Sequence, residues 1–191
     1  MKTVSVIGAC GHVGFPFSVI LANSGYKVYG IDLNLPLCDR MNVGFIPYIE
    51  HGVDKPYTNA INNKTLEFTV DYSKIQESDV VAIMIGTPVD SEGNPRLDDI
   101  LDFVELELFE WIEPGTLIIL RSTVAPGTTE LIRDLFGTKG FIEGKDYYLT
   151  FCPERVAQAY GIEETKNLPQ LIGAFSETSY KIAENFFQSI P

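Results

Sequence analysis

The sequence predicts an α/β fold, a mostly parallel, doubly wound sheet with helices on both faces. Three observations point there. Short apolar runs recur at 4–7, 27–31, 66–70, 80–85, 116–120 and 147–151. Segments with helical patterning alternate with them. Polar motifs rich in Gly and Pro follow the apolar runs, as happens where ligands meet the carboxyl ends of parallel strands. With 191 residues the chain is long enough for one large domain with a real core.

The first run, 4–7, ends at Gly8. Gly11 and Gly14 complete a G-x-G-x-x-G pattern with one extra residue between the first two glycines. Gly8 allows a turn that a side chain would obstruct. Gly11 lets the backbone approach a pyrophosphate, and Gly14 lets a helix lie close on the strand. The free N–H groups at the helix start then face the phosphates. His12 and Val13 lie in this turn, and His12 reads as an exposed loop residue rather than a base. Pro16 falls in the first turn of the helix, where a missing N–H is tolerated. The helix runs to Asn23, and Gly25 stops it. The second run, 27–31, closes at Asp32, 24 residues after Gly8. A carboxylate there can accept both ribose hydroxyls of an adenosine and would repel a 2′-phosphate, so NAD is favoured over NADP. Strand, turn, helix, strand and acid together make a Rossmann-like unit. The competing reading is a tight βα turn with no ligand.

Beyond Asp32, a short helix is expected near 35–43, then a loop over 44–50 that is either a lid or a packed surface connection. A polar helix near 58–63 precedes the third strand, 66–70. Asp71 and Ser73 suit the cap of a short helix before the apolar fourth strand, 80–85. That strand ends in Gly86-Thr87-Pro88-Val89-Asp90. A helix over 97–112 carries apolar residues at helical spacing, and its Trp111 reads as core rather than as a binding platform. Pro114-Gly115 breaks the chain. The fifth strand, 116–120, leads into the motif running from Arg121 to Thr128, and a helix follows to about residue 136. The sixth strand, 147–151, leads into Cys152-Pro153-Glu154-Arg155. An apolar stretch covers 168–174, and Ser176 caps a last helix over 177–189. The strand ends place Gly8–Gly14, Asp32, 86–90, 121–123 and 152–155 along one edge of the sheet, as parts of one site.

The composition narrows the class. A net charge of −12 excludes a basic stripe able to neutralise nucleic-acid phosphates. An anionic substrate would have to be held by local donors. Cys10, Cys38 and Cys152 form no C-x-x-C pair, so neither a zinc site nor a disulfide framework is suggested, and a reducing cytoplasm fits. No metal site is expected. No signal peptide is read, because the chain enters a strand at once. No apolar run approaches the roughly 18 residues of a membrane helix. His51 lies in a loop without an assigned role.

Three stretches go beyond a generic dinucleotide fold: VVAIMIGTPVDSEGNPRLDDI (80–100), LIILRSTVAPGTTE (117–130) and FCPERVAQAYGIEETKNLPQLIGA (151–174). With GACGHVG they resemble the amino-terminal domain of the UDP-glucose/GDP-mannose dehydrogenase family, over essentially the whole chain. The PERV form leans toward members that oxidise UDP-N-acetylhexosamines. The resemblance implies an NAD-binding domain over 1–191, with the family's central helix and UDP-sugar-binding domain absent from this chain. It implies an NAD-dependent, four-electron oxidation. A sugar C6 alcohol becomes an aldehyde, then a thiohemiacetal and a thioester on a cysteine; water releases the uronic acid, and two NAD are reduced.

The resemblance also assigns residues. Gly8, Gly11, His12, Val13 and Gly14 are the cofactor turn, and Asp32 is the ribose acid. Thr87 and Pro88 lie near the cofactor. Thr123 sits near it too and helps position a catalytic water. Glu154 takes acid/base work in thioester hydrolysis, for which partial burial and a raised pKa would suit it. Glu154, Arg155 and Val156 line the sugar-nucleotide site. Simpler readings let Thr123 cap the helix after Pro126, and let Glu154 pair with Arg155 or cap a turn. Where many members carry a second glutamate and a glycine, this chain has Gln158 and Ala159, and a neutral amide cannot serve as a base. The family's cysteine nucleophile lies in the absent half, and none of the three cysteines here replaces it. The expected partner is a nucleotide sugar, without nucleic acid or membrane. The full-length protein is expected to be a homo-oligomer and the fragment a monomer. An isolated chain should bind NAD without turnover. The alternative is a standalone NAD-binding module that regulates or assembles with a partner. A hydroxyacid dehydrogenase of the same broad fold is disfavoured by STVAPGTTE and CPERV.

Overall fold

The computed structural model describes residues 2–93 and 96–190. Asn94 and Pro95, part of the 80–100 stretch, lie outside them. Seven strands form one sheet in the order β3-β2-β1-β4-β5-β6-β7. They are β1 (Thr3–Ile7), β2 (Lys27–Ile31), β3 (Leu66–Thr69), β4 (Val80–Ile83), β5 (Leu117–Leu120), β6 (Tyr148–Phe151) and β7 (Gly173–Ala174). All neighbouring pairs are parallel except β6 with β7. The order reverses at β1, which lies between β2 and β4. That reversal opens a crevice at the carboxyl end of β1, where Gly8 stands.

Alternation along the strands divides the core in two. Val4, Val6, Val28, Val80, Ala82, Leu117 and Ile119 belong to one apolar cluster. Ile7, Tyr29, Ile31, Val81, Ile83, Ile118 and Leu120 belong to the other. Both faces must therefore be covered, and helices do so on each side. Helix α1 (Gly14–Asn23) is buried at every position from Gly14 to Ala22, so it needs apolar residues all round rather than a stripe. Helices α2 (Leu35–Asn42) and α3 (Asp54–Asn62) follow. Asn34 caps α2 by accepting from the Leu37 N–H. Cys38 lies within α2 and is buried.

The loop expected over 44–50 is present and extends over 43–53. Helix α3 begins at Asp54, four residues earlier than the sequence pattern placed it. Pro56 is in its first turn, where the absent N–H has no helical acceptor to miss. Asp71 caps the short 3-10 helix Tyr72–Glu77 by accepting from the Ser73 N–H. The long helix after β4 runs as α4 (Asp98–Asp102), a wider π-helical stretch Phe103–Leu108, and α5 (Phe109–Trp111). Ile100, Val104 and Leu108 are fully buried in the second cluster, with Trp111 half-buried against it. Helix α6 (Thr128–Thr138) and α8 (Glu177–Gln188) complete the expected set, Ser176 capping α8 through its hydroxyl.

Two parts differ from expectation. Helix α7 (Gly161–Asn167) has no counterpart in the sequence reading. Of the apolar stretch 168–174, only Gly173 and Ala174 pair, with Phe151 and Thr150. Pro169 lacks the N–H a ladder needs, and Arg155 donates to the Pro169 carbonyl instead.

Candidate dinucleotide and sugar-nucleotide site

The glycine turn is fixed by contacts that only glycine permits. Gly8 has φ +81°, and a Cβ there would stand 2.6 Å from the Met84 carbonyl oxygen. At Gly14 a Cβ would stand 2.3 Å from the Gly8 oxygen and 2.8 Å from the Ala9 Cα. The helix therefore starts directly against the end of β1, as the spacing implied. Gly11 differs. Its φ is ordinary, and an added Cβ would meet only the Gly8 oxygen, at 3.3 Å. A methyl there would press on that one backbone oxygen, a far milder conflict than at Gly8 or Gly14, so the backbone at Gly11 stays open to close approach by a ligand.

Asp32 is half-buried at the end of β2. One carboxylate oxygen accepts from the Cys10 N–H at 3.0 Å and the other from the Asn34 N–H at 3.2 Å. The first bond holds the acid against the glycine turn, the second closes a local turn with Asn34, and both oxygens keep lone pairs for further donors. Gly8, Asp32, Leu33, Tyr72, Gly86 and Phe103 line a cleft of about 410 Å³ beside them. Its far wall is the α4 and π-helical stretch, which also brings Asp99, Asp102 and Glu107 to the cleft. Sequence reading missed that wall, because its residues sit about seventy positions from Asp32. His12 is exposed, as expected, and its ring lies 3.7 Å from that of Tyr48.

A second cluster forms where β5 and β6 end. The Thr87 hydroxyl donates to the Thr123 carbonyl at 2.5 Å, joining the loops after β4 and β5. Pro88 is exposed, and so is Thr123. Thr123 does not cap α6, whose N-cap is Gly127 at φ +92°. Glu154 bonds in two directions. One oxygen accepts from the backbone N–H groups of Arg155 and Val156, at 2.8 and 3.1 Å. The other pairs with the guanidinium of Arg121. The turn-capping reading of Glu154 is thus realised, whereas its ionic partner is Arg121 and not Arg155.

Arg121 is a site residue that the sequence reading placed in the motif without a role. It is 2% exposed, and the Glu154 side chain is 13% exposed. It also donates to Gln170 at 3.0 Å, and its guanidinium lies over the Phe17 ring at 4.5 Å. Its Nε is the one buried side-chain polar atom without a partner among the described residues. Arg121, Glu154, Arg155, Val156 and Gln170 enclose a space of about 20 Å³, on the scale of a single water.

The cysteines offer no activated nucleophile. All three are buried. Burial pushes the Cys152 thiol up to about 11. Burial, followed by the Asp32 charge, raises Cys10 further, and burial raises Cys38. Such thiols stay protonated at neutral pH. Among the described residues no group of His, Cys, Asp and Glu could hold a metal, and no helix is long and apolar enough to cross a membrane.

The profile of the UDP-glucose/GDP-mannose dehydrogenase family, NAD binding domain, matches residues 2–191. The chain belongs to this family. It is 31% identical, over 97% of its length, to the UDP-N-acetyl-D-mannosamine dehydrogenase of Pyrococcus horikoshii. The relative from Methanococcus vannielii is 30% identical over 99% of the chain. The chain spans 44% and 42% of those relatives' own lengths. The structure of the P. horikoshii dehydrogenase superposes with a TM-score of 0.93 at 29% identity, covering 99% of this chain and 45% of that one. A ternary complex of GDP-mannose dehydrogenase from Pseudomonas aeruginosa superposes at 0.89 and 26% identity, covering 100% of this chain and 44% of that one. The cofactor of this domain is NAD, and the residues present fit it. A glycine backbone at Gly11, a helix start beside it and a two-oxygen acceptor at Asp32 are the parts a dinucleotide needs.

The two kinds of glycine predict opposite defects. Gly14→Ala should lower the melting temperature markedly, since backbone must move. Gly11→Ala should lose much less in melting temperature than Gly14→Ala but bind NAD at least about tenfold more weakly; calorimetric titration beside thermal unfolding checks both. For the second cluster, Arg121→Met should cost about 3–5 kcal/mol in urea unfolding, because Glu154 is left without its cation.

Proposed function

We propose that this chain is the NAD-binding part of an enzyme that oxidises the C6 alcohol of a nucleotide sugar to the acid, in a reducing cytoplasm. The substrate is a UDP-N-acetylhexosamine and two NAD are consumed. The convergence of the glycine turn, Asp32, the Thr87–Thr123 contact and the Arg121–Glu154 pair on one edge of the sheet carries the reading. Bound NAD supplies a hydride acceptor. The backbone from Gly8 to Gly14, with His12 and Val13, holds its pyrophosphate, and Asp32 its ribose. Thr87, Pro88 and Thr123 border the nicotinamide end.

Glu154 handles protons when the acyl product is released, and Thr123 places the attacking water. Arg155 and Val156, whose N–H groups share one Glu154 oxygen, face the sugar nucleotide. The remainder of the enzyme supplies the nucleophilic cysteine, most sugar contacts and the oligomer interface. The relatives' additional length and the raised thiol pKa of Cys152 support that division. The chain alone therefore binds NAD and does not turn over.

The test is a calorimetric titration of the chain with NAD and NADP, followed by incubation with UDP-N-acetylmannosamine and NAD. NAD should bind about tenfold or more tightly than NADP, because Asp32 repels a 2′-phosphate. No steady NADH absorbance should develop. Equal affinity for the two dinucleotides contradicts the role of Asp32, and steady turnover contradicts the shared site.

A further inference from the structure

Helix α7 has no cap of its own. Its N-cap position is Tyr160, which makes no side-chain bond to the helix. The Ile162 N–H in its first turn instead donates to a carboxylate oxygen of Glu50 at 3.0 Å. Glu50 is 8% exposed and comes from the loop between α2 and α3, 112 residues away. The next residue, His51, donates its N–H to the Ala159 carbonyl at 2.9 Å. Ala159 has φ +70°, one of two non-glycine residues with positive φ among the described residues. A residue in that conformation needs outside contacts to hold it. The rings of His51 and Tyr160 lie 5.0 Å apart.

The same loop reaches the dinucleotide turn at its other end. The Tyr48 hydroxyl donates to the Cys10 carbonyl at 2.7 Å, and the Tyr48 ring lies against His12. Within the four residues Tyr48 to His51, the loop is bonded to the glycine turn on one side and to the start of α7 on the other. Helix α7 in turn orders the segment after Glu154: its Glu164 carboxylate accepts from the Ala157 N–H at 2.5 Å. It also docks on α1, where Gly161 passes so close to Pro16 that an added Cβ would stand 2.9 Å from the Pro16 Cγ.

The geometry points to the loop from Tyr48 to His51 as a strap that couples NAD occupancy to the order of the sugar-nucleotide segment, with Glu50 as its positioning residue. NAD needs one conformation of the glycine turn. That conformation presents the Cys10 carbonyl to Tyr48, which seats the strap, and the seated strap delivers Glu50 to the first turn of α7. Linkage makes the effect reciprocal, so loss of the Glu50 cap weakens NAD binding although Glu50 makes no bond to the turn. The inference rests on the NAD assignment and is independent of which sugar the enzyme takes.

Amide hydrogen exchange of the chain with and without NAD tests it. NAD should slow exchange at the Ile162 N–H by about fivefold or more, alongside protection of the turn from Gly8 to Gly14. Tyr48→Phe should keep protection of the turn and lose that of Ile162. Glu50→Ala should weaken NAD binding by about fivefold, and Glu50→Gln, which keeps an acceptor oxygen, should restore it. Three results overturn the strap: protection confined to the turn in the wild type, protection of Ile162 persisting in Tyr48→Phe, or wild-type NAD affinity in a folded Glu50→Ala. Should the turn itself gain no protection, the NAD assignment fails, and the strap with it. The wild-type and Glu50→Gln measurements stand even if Glu50→Ala does not fold.

Discussion

The first turn of α1 lies against the end of β1 with no room for a methyl group at Gly14. That contact sets the position of a helix buried from Gly14 to Ala22, and α1 is the element on which much else is placed. Arg121 lies over its Phe17, α7 packs against its Pro16, and its first turn follows directly on the glycine turn. A shift of α1 by the width of a methyl would disturb the cofactor turn, the buried ion pair and the α7 contact together. Interiors packed this closely transmit such displacements rather than absorb them.

The carboxyl ends of the parallel strands do the rest. β1, β4, β5 and β6 lie side by side, so their exits bring residues 8–14, 86–88, 121–123 and 152–156 into one row. The row has two chemically different parts. Around β1 and β2 it is backbone amides and one carboxylate, suited to a dinucleotide. Around β5 and β6 it is a desolvated Arg–Glu pair with donors on both Glu154 oxygens. Desolvating two charges is costly unless their geometry is good, and the Gln170 bond and the Phe17 ring help hold Arg121 in place.

Local patterning made most of this architecture legible. Strand, glycine turn, helix, strand and acid are all written within residues 3–32, and the strand-end motifs stood out by composition. What escaped depended on distant partners. Residues 161–167 begin with Gly, a poor helix former, and the side-chain acceptor at the start of α7 arrives from Glu50. Proximity in sequence points to Arg155 as the partner of Glu154, whereas register between β5 and β6 brings Arg121 to it from 33 residues away. The wall of the cleft beside Asp32 comes from a helix whose apolar face the sequence displays, but whose π-helical widening it does not. The strap at Tyr48–His51 carried no periodicity, and only its contacts at both ends give it a meaning.

The measurement that bears most directly on the account is a crystal structure of the chain bound to NAD. The account predicts the pyrophosphate on the amides between Gly11 and Gly14, with the adenine ribose hydroxyls within hydrogen-bonding distance of Asp32, roughly 2.6–3.2 Å. It also predicts the nicotinamide end beside the Thr87–Thr123 contact. A dinucleotide bound away from the glycine turn, or with its ribose turned from Asp32, would contradict it.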